Sequence, residues 1–528
     1  MEGGSNDCGL NAAYFQYFED CDNNLRYSMG KTKAPSESLA CFSDCTCDTD
    51  DCSGTDIHTV YVSGNLAGTS NGDSRGVAPL VSFILYDTDG NSNNPVFLLS
   101  DIECQINDGA YVSCHTDKGG GCHQNYLDSG SEHFDNLLFQ YPEFCLVKSA
   151  ANDGNNPGCS PTNFPDYYEI PSGSAAAKNT ITVGVMERLP NFEGEECLDY
   201  VINQINARSL SSAGPTRDGR IKPDLIAPGK FDPQSSWNTT SLATPTVAGT
   251  VVLLHEMWQK PEFAGFYLDA MPKSSTIKSL LVHTATPCNS DSSIPIENQI
   301  EFGPTYECGW GLINVKKAAE LIKFNADTGG KAILEETLNN GQEYTYDIIV
   351  PAEAIKLKAT LSWNESGVSS LSDENAYPTG SALINDLNLT IEDDSGNVFY
   401  PWLLDPNDPS ATAQTGIDTR NNIEQVYIAD VPPGSYTIKV NHTGILSTPQ
   451  DFSLITSVDS KAYLGCSTPI EIISDQIICD GGSVDLWASG GENGSYLWEP
   501  ATGLNNNTLA NPTASPSKST EYKCTITD

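Results

Sequence analysis

Between Leu242 and Trp258 the apolar residues Ala243, Val247, Ala248, Val251, Val252 and Leu254 leave few polar positions. The stretch predicts a helix that is apolar on every side, and such a helix has to be buried. Around it, from Gly76 to Gly330, short apolar runs such as VSFILYD (Val81 to Asp87), FCLVKSA and ITVGVME alternate with candidate helices. That alternation predicts a parallel sheet with crossover helices. A second helix is expected from about Ser275 to Thr284, and a third from Val315 to Phe324 closes the unit.

After Gly330 the texture changes. YTYDIIV, IKLKATLSW, LNLTIEDD, EQVYIADV and SYTIKV follow one another, separated by Gly, Pro, Asn and Asp turns. Alternation with such punctuation predicts an antiparallel sandwich. A last unit begins near Lys461, where Cys479, Trp498 and Cys524 stand in the order of an immunoglobulin-like sandwich, whose core disulfide packs on a tryptophan. Tyr522 fits the corner tyrosine of that fold. The expected architecture is thus an α/β domain over residues 1–325 and β domains over 331–460 and 461–528, three units for a chain of 528 residues.

Charge excludes some partners. Lys and Arg number 27 against 69 Asp and Glu, a formal balance of −42 whose field repels nucleic acid and anionic membrane surfaces. No stretch approaches the roughly 18 consecutive apolar residues of a membrane span. The 17 cysteines exceed what a reduced cytosolic enzyme of this size carries, so an oxidising compartment is expected, with at least one thiol unpaired because the number is odd. Cys8 is the candidate for it. Cys41, Cys45, Cys47 and Cys52 lack the paired C-x-x-C spacing of structural zinc and are read as disulfide staples. The opening MEGGSNDCGL lacks the basic and apolar regions of a signal peptide, which is read as a fragment or mature form.

The chemistry is expected at TTSLATPTVAG (Thr239 to Gly249), which places Ser241 immediately before the buried helix, with Pro245 in its first turn. There a serine hydroxyl lies beside backbone N–H groups and the positive helix end, where developing negative charge is stabilised. Taken alone the run also reads as an N-capped core helix. The run is, however, similar to the G-T-S-x-A-T-P signature around the nucleophile of the subtilisin family, and SSAGPTRDGRIKPDLIAPG (Ser211 to Gly229) resembles the segment that leads into it. HTVYVSGNLAG followed by SRGVAPLVSFILYD resembles the catalytic-histidine helix and its following strand, with His58 on the catalytic position. Asp7-Cys8-Gly9 is the best match to the family's aspartate, and KSAANDG puts Asn152 on the oxyanion asparagine. GWGLINVKKAAE (Gly309 to Glu320) resembles the family's closing segment, so the likeness spans about residues 1 to 325.

The resemblance implies a secreted, monomeric serine endopeptidase acting on proteins or peptides. Ser241 is its nucleophile and His58 its general base, with Asp7 holding the imidazole tautomer and an oxyanion hole made by the Ser241 N–H and the Asn152 amide. Thr239, Ala151, Thr59 and Tyr61 depart from the family pattern around the cleft. Two rivals follow: a pseudoprotease that keeps the fold and binds in its cleft, and an adhesion protein whose function lives in the β domains.

LKATLSW, ALINDLNLTI, WLLDPNDPSATAQTGID and NNIEQVYI resemble the jelly-roll that follows the protease in alkaline, oxidation-stable subtilisin relatives. The resemblance implies structural Ca2+, for which Asn385, Asp386, Asp405, Asn407, Asp418, Asn421 and Asn422 offer hard oxygens, although each also reads as ordinary turn chemistry. The last unit resembles Ig-like repeats of Bacteroidetes-type secreted proteins.

Overall fold

The computed structural model describes residues 102–103, 106, 109–116, 129–155, 175–187, 205–229, 238–260, 271–288, 303–368, 380–460, 471–472, 482–489, 495–520 and 522–527. Asp7, His58, the strand expected at Val81 to Asp87, the Cys41 to Cys52 cluster and Cys479 lie outside them. The chain divides into two compact units. The first runs to Ile348 and adds Lys358–Ile428 and Ser435–Ser457; the second comprises Ile349–Leu357, Ala429–Gly434 and Val458–Asp528.

The first unit is built on a parallel sheet of β1 (Val112–His115), β2 (Cys145–Ser149), β3 (Ile181–Val185) and β4 (Leu225–Ala227), in that order. Val112 pairs with Cys145, Val147 with Ile181 and Val183 with Leu225. β2, β3 and β4 are buried along their whole length. Their short, unbroken apolar runs suit a sheet covered on both faces. Helices α1 (Ser129–Gln140), α2 (Thr240–Trp258), α3 (Ser274–Thr284) and α4 (Val315–Asp327) accompany it. Ala243, Val247, Val251 and Leu254 of α2 share one core with β2, β3 and β4.

α2 buries everything but Val252, Glu256 and Met257. Its threonines tolerate this because their hydroxyls turn back along the helix: Thr244 donates to the Thr240 carbonyl at 2.7 Å and Thr250 to that of Thr246 at 2.8 Å. One expectation fails here. The helix starts at Thr240, so Pro245 stands inside it rather than in the first turn, and withholds the N–H that Ser241's carbonyl would otherwise accept.

Two four-stranded sheets follow. One has the order β12 (Ile423–Ala429), β7 (Ala354–Ser362), β14 (Gln450–Ser460), β5 (Ile333–Leu338). The other has β6 (Tyr344–Val350), β13 (Gly434–Thr443), β8 (Asp386–Asp393), β9 (Val398–Phe399), and a two-stranded ribbon joins β10 (Trp402–Leu403) to β11 (Gln414–Thr415). β8 and β13 are antiparallel and alternate buried with half-exposed residues, as strands with one buried face do. β7 is buried continuously from Leu357 because its sheet is covered on its second face too. There His283 of α3 bonds Thr360 and Ser457 through its two ring nitrogens, both at 2.9 Å.

The second unit holds three small antiparallel ribbons, β15 (Glu471–Ile472) with β17 (Ala488–Ser489), β16 (Val484–Asp485) with β19 (Thr513–Ala514), and β18 (Ser495–Glu499) with β20 (Lys523–Thr527). Trp498 is buried among Leu486, Ala488 and Ala514, and the Tyr522 hydroxyl donates to the Thr502 carbonyl at 2.8 Å. Cys524 lies directly across the ladder from Trp498, on the same face, and its thiol is free; Cys479, the partner expected for it, lies outside the described residues. Cys145, buried in β2, is likewise a free thiol, in keeping with the expectation of at least one, while the candidate Cys8 lies outside the described residues and Cys288 and Cys308 are joined by a disulfide.

Candidate active site

Ser241 sits at the second helical position of α2, where backbone N–H groups have no partner within the helix. The cap residue Thr239 is extended (φ −134°, ψ 160°) and makes no side-chain cap bond. The cap comes instead from a distant loop. Asn152, directly after β2, accepts at Oδ1 from the Thr240 N–H at 3.0 Å and from the Thr240 hydroxyl at 3.1 Å. Ser241 is therefore not the side-chain cap of its helix. Its hydroxyl donates to the Thr116 carbonyl, just past β1, at 3.3 Å. Three segments that are far apart in sequence, after β1, after β2 and at the head of α2, thus meet at one end of the parallel sheet.

The loop that carries Asn152 is shaped by its backbone. Ala151 is held at φ 76°, a left-handed conformation that L-residues other than glycine adopt at a cost. It is locked there because its carbonyl accepts from the Ser212 N–H at 3.0 Å, while the Asp153 N–H donates to the Ser212 hydroxyl at 3.1 Å. A Cβ at Gly154 would lie 2.2 Å from the Ser211 carbonyl oxygen, so only glycine fits that position. Ala151 stands where the family resemblance has glycine, and here alanine takes the left-handed conformation that glycine adopts without cost.

Beneath this loop the segment Ser211 to Gly229 is a buried ionic layer. Asp224 accepts from Lys222 at 2.6 Å and meets Lys278 of α3 at 3.0 Å, while Asp218 pairs with Arg220 at 2.5 Å. Burial pushes the Asp224 carboxyl up, but Lys222 and Lys278 outweigh it and hold it below the usual carboxylate range. These charges position the chain entering α2 rather than face a cleft. Their partner Lys278 was invisible to sequence reading, because nothing in SSTIKSLLVHT marks one lysine as internal.

The calcium candidates do not form one group. Asp405 Oδ1 accepts from the Asn407 N–H at 2.9 Å in a local turn. Asn385 donates to Gln450 at 2.7 Å, Asn422 to the Trp363 carbonyl at 2.8 Å, and Asn421 accepts from the Ile221 N–H at 2.8 Å, so these three amides serve the packing. Asp418 accepts from Arg420 and Asn421. Asp386 is different, because its Oδ1 is buried without a partner, and burial together with Asp418 raises its pKa to about 6. Glu424, which sequence reading missed, is fully buried with Oε1 unpartnered; burial, then Asp418 and Asp386, push it well above the usual range. Among the described residues no three His, Cys, Asp or Glu side chains form a ready-made metal cage.

The sequence profile described as the subtilase family matches residues 19–311, more than half of the chain. The chain belongs to the subtilase family of serine proteases. Among curated relatives, the subtilase is 25% identical over 292 residues to the serine protease/ABC transporter B family protein tagA of Dictyostelium discoideum, which covers 47% of this chain and 15% of that protein. It is 31% identical over 209 residues to pyrolysin of Pyrococcus furiosus, covering 37% of this chain and 14% of pyrolysin. The chain therefore spans only a small part of the length of the curated relatives it matches. Among solved structures, tripeptidyl peptidase 2 aligns with a TM-score of 0.36 and 13% identity over 84% of this chain and 44% of that one. The epidermin leader peptide processing serine protease from Staphylococcus aureus aligns with a TM-score of 0.34 and 19% identity over 52% and 64%. No helix among the described residues is long and apolar enough to cross a membrane.

Proposed function

We propose that this subtilase is a secreted serine endopeptidase that hydrolyses peptide bonds of proteins through an acyl-enzyme on Ser241. The observation that carries the reading is the bond from Thr240, the residue before Ser241, to Asn152 Oδ1, which brings the Asn152 loop to the head of α2. In this reading Ser241 Oγ attacks the scissile carbonyl carbon, and His58 takes the hydroxyl proton and returns it to the leaving amine. Asp7 holds the histidine tautomer. The tetrahedral oxyanion accepts from the Ser241 N–H and Asn152 Nδ2, each such donor being worth about 3 kcal/mol. Water then repeats the addition on the acyl-enzyme, with His58 as base. The roles of Asp7 and His58 rest on chain order and on the motifs around them.

The finer architecture belongs to the same proposal: a jelly-roll of the oxidation-stable alkaline protease type after the peptidase domain, then an Ig-like module. Calcium is proposed for the jelly-roll. The unpartnered Oδ1 of Asp386 and Oε1 of Glu424 are the hard oxygens such a cation would take, and its charge would offset the repulsion that Asp418 exerts on both. Labelling of the full chain with a fluorophosphonate, followed by peptide mapping, tests the function. Modification confined to Ser241, with cleavage of denatured protein, supports it. A chain that neither labels nor cleaves is the pseudoprotease.

A further inference from the structure

We infer that Arg208 selects substrates that carry an acidic side chain close to the scissile bond, a reading that rests on the peptidase function proposed above. Arg208 stands at the carboxyl end of β3. Its neighbour Ala207 bridges Met186, and its own N–H donates to the carbonyl of Val185, the last residue of that strand, at 2.8 Å. Thr116 and Asn152 follow β1 and β2 directly, so all three residues lie at the same end of one parallel sheet, the end at which open α/β sheets bind their ligands.

The guanidinium faces the head of α2. Its Nη1 donates to the carbonyl of Asn238, three residues before Ser241. Asn238 is buried and held from a second side, because its Nδ2 donates to the Met186 carbonyl at 3.2 Å. The arginine is thus seated on an anchored segment. Three residues of chain span at most about 10 Å, the same reach that a bound peptide has within three residues of the bond Ser241 attacks.

Arg208 is only half-buried, and among the described residues its side chain has no carboxylate partner. The bond to Asn238 uses Nη1 alone. Nε and Nη2 are left, and they form the edge of the fork that takes a carboxylate by two parallel bonds. Other arginines of this unit are committed: Arg220 pairs with Asp218, and Arg420 donates to the Asp218 carbonyl. In a chain with 69 acidic and 27 basic residues, an open cation beside the nucleophile gives a negative side chain of the substrate a place that the surrounding field otherwise denies it.

The test is kcat/KM on paired peptides, measured with the full chain, in which one Glu or its neutral isostere Gln is moved through the three positions on either side of the scissile bond. Glu is expected to be preferred at one position by roughly tenfold, the size of a charge-assisted contact partly open to solvent. Arg208→Gln keeps a donor for Asn238 but no charge, so the preference should fall to near unity. Arg208→Lys should retain part of it, as a point charge without the fork, and Arg208→Glu should turn it into a preference for Lys at that position. Should Arg208→Gln fail to fold, Arg208→Lys carries the comparison, with a reduced preference expected.

The absence of a Glu preference at every position overturns the inference, as does a preference that survives undiminished in the variants. An equal loss on the Glu and Gln peptides in Arg208→Gln also overturns it, since the arginine would then only hold Asn238. Each of these results leaves the peptidase reading standing, whereas an unaltered chain that cleaves neither these peptides nor denatured protein sinks both.

Discussion

Lys178 and Glu365 form an ion pair at 2.6 Å with side chains 0% and 1% exposed, and Lys178 also donates to the Ala382 carbonyl at 2.9 Å. The lysine stands three residues before β3 of the parallel sheet, and the glutamate three residues after β7 of the antiparallel one. Asn179 continues the joint by donating to the Asp135 and Glu365 carbonyls and accepting from the Glu365 N–H. Removing one charge strands the other in a dry interior, which costs about 3 to 5 kcal/mol, whereas replacing both with apolar groups avoids that penalty. Glu365→Leu is therefore expected to lower the melting temperature strongly, and Lys178→Met combined with Glu365→Leu to recover much of it. Calorimetry on the three proteins decides, and equal losses in the single and double variants would remove the argument.

Ala151→Gly should stabilise the chain. Relief of a left-handed alanine is worth about 1 to 2 kcal/mol, and the added freedom of glycine in the unfolded chain returns about half of that. A net gain of about 0.5 to 1 kcal/mol in urea unfolding is expected. A loss of stability would mean that the strain is not present in solution.

Asp386 and Glu424 make stability depend on pH. Both carboxyls have folded-state pKa values raised above the unfolded ones, so the folded state binds more protons and stability falls as pH rises. For Asp386 the loss runs from the ordinary carboxylate range up through about pH 6. In chelator, the melting temperature is therefore expected to be lower at pH 8 than at pH 5. Millimolar calcium should reverse the fall at pH 8 and do little at pH 5, where protons already neutralise the site. Glu424→Gln should flatten the profile and abolish the calcium response. A calcium response that survives in Glu424→Gln places the ion elsewhere.

Ser241→Ala is expected to abolish fluorophosphonate labelling and peptide hydrolysis while leaving the melting temperature nearly unchanged. Asn152→Ala should slow turnover by roughly a hundred- to a thousandfold, the loss of one oxyanion donor. Asp7→Asn should also be severe, by favouring the wrong histidine tautomer. Retention of full rate in Asp7→Asn would move the third triad member to another aspartate without touching Ser241.

The buried helix, the change from parallel to antiparallel texture at Gly330 and the segment around Ser241 were all legible in the sequence, because each is a local pattern: periodicity, turn residues, a contiguous motif. Even there the helix start was misjudged, since an internal proline in a tightly packed helix looks like a first-turn proline until the cap is seen. The Asn152 cap on Thr240 joins residues 88 positions apart, and only the register of β2 against β3, with α2 laid across them, brings the two together. The same holds for Asp386 in β8 and Glu424 in β12, which come from different sheets. Their coupling arises from shared burial, and a side chain's desolvation is set by what packs over it, not by its neighbours along the chain.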